Sequence, residues 1–167
     1  MNTKTKKIAF IGLLASLALV LSYLESLLPP LSAAFPGIKM GLPNIIIIFA
    51  LYKFGAKEAI AVSFIRLVCS ALLFGTLLTF AYSAAGAVLS LTLMIILKRF
   101  DRISKVGVSV VGGVCHNIGQ IAIAILLLER WEISFYLFVL IITGTVAGAL
   151  VGFAATALLK ALKKIKV

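Results

Sequence analysis

The sequence predicts an all-α membrane protein, a bundle of six transmembrane helices with both termini on the cytoplasmic side. Three observations lead there. Apolar residues make up 63% of the 167 positions and charged residues only 13%, with a mean hydropathy of +1.22. A soluble domain is roughly 45–50% apolar and about 25% charged, and one of this length could not hide so much apolar surface. The apolar stretches also run unbroken, without the two-residue alternation of a barrel strand. Inside hydrocarbon every backbone polar group must be satisfied within the protein, so such runs become helices. Finally, the basic residues gather in alternate connecting segments, which sets an orientation.

The elements follow in order. The first helix is expected over 8–28, ended by Pro29 and Pro30. It follows Lys4, Lys6 and Lys7 as a signal peptide would. Its apolar run is nevertheless longer than a signal core, and Glu25 with two prolines makes a poor cleavage region, so it reads as a retained span. Three prolines and Gly37 punctuate a loop over 29–39. A short second helix is expected over 40–53, with Pro43 in its first turn, where a missing N–H does no damage. The third, 57–75, carries Arg66 at its centre. The fourth is expected over 77–98, and the fifth over 106–128 after a basic segment. The sixth, 133–159, follows a polar turn holding Trp131, an interfacial anchor. These helices form one integral membrane domain spanning 1–167, without a soluble domain or a convincing internal repeat.

With the N-terminus inside, thirteen of the sixteen basic residues fall on the inner side. Only Lys39 and Arg130 fall outside, and Arg66 lies within the membrane. The bias requires an even number of spans and predicts a multi-pass protein of the cell membrane. It also accounts for the net charge of +11, since basic loops meet the anionic inner leaflet. The charge is divided among short loops, which argues against nucleic-acid binding.

An ionisable group in hydrocarbon costs about 2.5–3.5 kcal/mol on insertion scales, so polar residues inside spans are candidates for function. Arg66 sits mid-helix. His116, Asn117 and Gln120 lie in the segment GGVCHNIGQ, where Gly112, His116 and Gln120 share one face at a spacing of four. Glu25 is near the outer end of the first helix, Asn44 opens the second, and Lys39 precedes it. Polar groups on four helices at similar depth predict a pocket opening outward. Arg66 and His116 would favour an anionic portion of a ligand. Asn117, Gln120 and Asn44 would orient it, and Glu25 and Lys39 would line the mouth. Blander roles compete: Arg66 as an ion pair with Glu25, and His116 bonded to a carbonyl.

Small residues form a second pattern. Gly12 and Ser16 are four apart on the first helix, as are Gly144, Gly148 and Gly152 on the sixth. Such faces permit close helix packing, either within the bundle or against another subunit. Cys69 and Cys115 both lie in apolar runs and read as packing residues. The sequence holds no Walker A motif, no metal-ligand constellation and no aspartate cluster for magnesium and diphosphate. No enzymatic activity, catalytic residue, metal or cofactor is expected.

The blocks PGIKMGLPNIIIIFALYKFGAKEA (36–59), SFIRLVCSALLFG (63–75) and SVVGGVCHNIGQ (109–120) resemble the Gx transporter family. Its members are often labelled heptaprenyl diphosphate synthase component I. That family in turn resembles the S-components of energy-coupling-factor (ECF) importers. These are six-helix proteins that bind a vitamin or precursor from outside and dock on a transmembrane subunit with two ATPases. The resemblance implies a substrate-binding transport subunit, with the 29–39 loop as a lid. S-components often carry Ala-xxx-Ala on the first helix for docking; here Gly12 and Ser16 take that place. The alternative is a non-transporting accessory protein in prenyl-lipid, quinone or electron-transfer machinery. Its mark would be a lateral opening between helices rather than a closed pocket facing water.

Overall fold

The computed structural model describes residues 3–28 and 41–163. Among these residues the elements are α1 (Thr3–Leu27), α2 (Asn44–Lys53), α3 (Ala56–Leu73), α4 (Leu77–Leu97), α5 (Lys105–Leu128) and α6 (Leu137–Ala161). A 3-10 helix, Trp131–Tyr136, precedes α6, and no described residue is in a strand. Among the described residues four segments are long and apolar enough to cross a membrane: Lys4–Leu27, Leu77–Leu97, Lys105–Leu128 and Trp131–Ala161.

Local chemistry explains where the helices begin and end. Thr76 and Thr79 cap α4 reciprocally. The Thr79 backbone N–H donates to Thr76 Oγ1 at 3.2 Å, and the Thr76 N–H donates to Thr79 Oγ1 at 2.8 Å. Ser104 caps α5 by accepting from the Gly107 N–H at 3.0 Å. Gly55 turns the chain between α2 and α3 at φ 126°, a conformation that glycine reaches without strain. Glu129 ends α5 in the left-handed region at φ 52°.

Three helix starts differ from the sequence expectation by four residues or more, one of them α2, which begins at Asn44 instead of residue 40. Helix α1 begins at Thr3 instead of residue 8, because hydropathy marks the apolar part of a helix and α1 continues through its exposed lysines. Helix α6 begins at Leu137, because 131–136 winds as a tighter 3-10 segment. The second helix is also too short to span. Ten residues rise about 15 Å, half of a hydrocarbon core of about 30 Å.

Helices α2, α3, α4, α5 and α6 pack in sequence, and α6 returns against α2 to close a ring; α1 lies outside it on α3 and α2. The core joins Ala18, Ile47, Leu51, Val62, Met94, Val108 and Ala155, one or more from every helix. The outer surface is apolar as well: Phe64, Leu72, Val88, Phe138 and Phe153 are all exposed. A soluble monomer seldom exposes so much apolar surface, whereas a bilayer requires it.

One end of the bundle is fastened by lysines. Lys7 of α1 pairs with Glu58 at the start of α3 at 2.5 Å. Lys53 donates to the Leu162 carbonyl oxygen after α6 at 3.1 Å, and Lys98 donates to the Leu51 carbonyl oxygen in α2 at 2.5 Å. Lys98 and Lys105 both lie over the Tyr52 ring, at 5.4 and 5.5 Å. The starts of α1, α3 and α5 thus meet the ends of α2, α4 and α6. Lys7 neutralises a carboxylate, and Lys53 and Lys98 satisfy carbonyl oxygens at the ends of α6 and α2.

Candidate functional site

The site grows from the seam between α5 and α6. Gly144 and Gly148 let the helices meet backbone to backbone. A Cβ on Gly144 would lie 2.8 Å from Asn117 Nδ2, and one on Gly148 would lie 2.8 Å from the Ser109 carbonyl oxygen. In the room so provided, Asn117 donates to the Leu140 carbonyl oxygen at 2.7 Å. Ser109 donates to the Gly148 carbonyl oxygen at 2.6 Å. The α6 glycine row therefore serves internal packing.

Beside this seam lies a cavity of about 250 Å³. Asn44 at the N-terminus of α2, His116 and Asn117 on α5, and Thr143, Val146 and Leu150 on α6 contribute to its wall. Because α2 is half-length, its first residue reaches the middle of the bundle, level with Gly113 and Gly148, with which it shares a second, much smaller cavity. The structure thus brings together Asn44, His116 and Asn117, three of the residues singled out in the sequence. His116 is buried against α4, where Gly86 leaves it space: a Cβ there would lie 2.8 Å from His116 Nδ1.

The other candidates sit elsewhere. Gln120, one turn beyond His116, is only 2% exposed, and neither its amide oxygen nor its nitrogen has a hydrogen-bond partner among the described residues. It does not line the cavity. Arg66 is buried on α3, also away from the cavity wall, within electrostatic reach of Glu25. Glu25 is itself buried and accepts a hydrogen bond from the Gly41 N–H just ahead of α2. It joins α1 to the chain entering α2. Lys39, expected at the mouth, lies outside the described residues.

Gly12 and Ser16 are exposed on α1, and Ser16 donates to the Gly12 carbonyl oxygen at 2.9 Å. A Cβ on Gly12 would meet nothing within 4 Å, unlike every other described glycine. This small face is open, whereas the α6 glycines are covered. The contribution of α6 to the cavity was missed in the sequence, where only its glycines were noted. Thr143, the one polar wall residue there, sits beside Gly144 and was the available signal.

The family described as Heptaprenyl diphosphate synthase component I matches residues 14–158. The chain belongs to this family. The match runs from within α1 to near the end of α6 and so takes in the cavity and the α6 glycine row, but of the α1 small face it includes Ser16 and not Gly12. No curated protein and no solved structure matches the chain.

Proposed function

We propose that the chain is the substrate-binding transmembrane subunit of a small-molecule importer, similar to an S-component. On this reading six segments occupy the cell membrane, with both termini cytoplasmic and the lysine-fastened end inside. The observation that carries it is the cavity at mid-depth, where Asn44, His116 and Asn117 converge on a space large enough for a ligand. Pockets of this kind, mostly apolar with a few placed polar groups, are the usual form of a small-molecule site. The open Gly12–Ser16 face on α1 supports docking on a transmembrane coupling subunit that works with two ATPases. The chain would then bind and present the ligand without chemistry of its own.

The test is a gentle-detergent pull-down of the tagged protein from its native membrane, with quantification of co-purifying proteins. Two ATPases and a coupling subunit in near-stoichiometric amounts are expected. A second reading, an accessory protein in prenyl-lipid, quinone or extracellular electron-transfer machinery, is favoured by one observation. Ile142, Val146 and Leu150 line the cavity from a strongly exposed strip of α6, which suits lateral access from the bilayer. The family description, which names a component of a prenyl-diphosphate synthase, points the same way. Recovery of prenyl-lipid or redox proteins without ATPases would replace the importer reading with this one.

A further inference from the structure

We infer that the cavity takes a neutral, largely apolar molecule with a hydrogen-bonding group at one end, entering from the bilayer. The inference rests on the cavity being the ligand site, as both readings of the proposed function have it. It departs from the anionic ligand suggested by the sequence.

The first ground is charge. No Lys, Arg, Asp or Glu contributes to the described wall, and His116 is its only ionisable residue. Arg66, the cation that would have held an anion, is off the described wall and within electrostatic reach of Glu25. An anion moved into this space would lose its hydration without a guanidinium or ammonium partner among the described residues of the wall, which is costly in an apolar surround.

The second ground is the polar end. Asn117 is 6% exposed, and the Leu140 carbonyl oxygen can only accept. The amide nitrogen must therefore face Leu140, which leaves the amide oxygen on the opposite edge of a side chain that lines the cavity. Asn44 adds a second amide, so together they offer a donor and an acceptor without net charge. A hydroxyl, carbonyl or neutral amide is what such a pair recognises.

The third ground is the wall and the route. Ile142, Val146 and Leu150, four apart on α6, are 51%, 56% and 65% exposed. In a bilayer such a strip faces hydrocarbon, so the route along it admits apolar molecules. A dry cavity of about 150 Å³ holds a benzene ring; 250 Å³ has room for a bicyclic body of that kind.

The test uses the full chain in zwitterionic phosphatidylcholine nanodiscs at neutral pH, with empty discs as the partition control. Two probes of matched shape are compared, neutral 2-naphthol and anionic 2-naphthoate. Val146→Trp fills the mouth, and Ala147→Phe fills the wall by an independent route. Saturable 2-naphthol binding is expected, at least about 10-fold tighter than 2-naphthoate and weakened by about that factor in both variants. Binding of 2-naphthoate as tight or tighter would overturn the inference, as would 2-naphthol uptake that neither filling variant reduces or that does not exceed the empty discs. Naphthoate binding abolished by both variants would leave the importer proposal standing with a different ligand class. Co-purification of ATPases is measured separately and does not depend on either probe.

Discussion

Ser109 on α5 donates its hydroxyl to the Gly148 carbonyl oxygen on α6 across 2.6 Å, and the absence of a side chain at Gly148 is what allows that approach. A Cβ at 148 would fall 2.8 Å from both the Ser109 carbonyl oxygen and the Val110 Cα. Backbone cannot move aside as a flexible side chain can. Gly148→Val is expected to destabilise the protein by roughly 1–3 kcal/mol, the range for overpacking. The check is thermal unfolding in mild detergent, and an unchanged midpoint would refute the close packing of this seam.

Gly12 makes the opposite case. Nothing lies within 4 Å of a Cβ built there. Gly12→Val should leave the unfolding midpoint within the range of an ordinary surface change, about 0.5 kcal/mol. On the proposed docking role, the same variant should lose most of its co-purifying coupling subunit. Full recovery of the partner would remove this face from the interface.

These two glycines show what the sequence could and could not convey. Long apolar runs made the helical, membrane-like fold legible, because burial in lipid leaves the backbone little other choice. Small-residue spacing on α1 and α6 looked alike, since spacing alone does not say which face meets a neighbour. The polar residues were harder to sort. Arg66 and His116 were grouped by depth, yet depth leaves rotation about the helix axis undetermined. The structure buries Arg66 away from the cavity, within electrostatic reach of Glu25, and sets His116 on the cavity. The bond from the Gly41 N–H to Glu25 depends on how the chain returns between α1 and α2, which no local pattern encodes.

The Glu25–Arg66 relationship yields a second test. Removing one partner leaves the other charge buried, which in protein interiors costs roughly 3–5 kcal/mol. Arg66→Met and Glu25→Gln should each lower the unfolding midpoint strongly, and the double variant should lose less than the two losses added. A coupling of at least about 0.5 kcal/mol is expected. Strict additivity would mean that the two groups do not depend on one another.

Gln120 holds a buried amide with neither atom hydrogen-bonded among the described residues. Such a group costs about 1–3 kcal/mol relative to a satisfied one. Gln120→Leu, close in volume and without the polar atoms, is expected to keep or raise the unfolding midpoint. A marked fall would show that the amide is satisfied in the membrane, for example by an ordered water.

The lysines that fasten one end of the bundle have a consequence for how the chain can change over generations. Lys53 holds the Leu162 carbonyl oxygen just after α6, Lys98 holds the Leu51 carbonyl oxygen of α2, and Lys7 holds Glu58 of α3. On the proposed orientation these are also among the charges that the insertion machinery reads. A lineage drifting toward the inverted topology by shedding basic residues would therefore loosen its helix ends at each step. Orientation and cohesion are inherited together, and neither can be traded away alone.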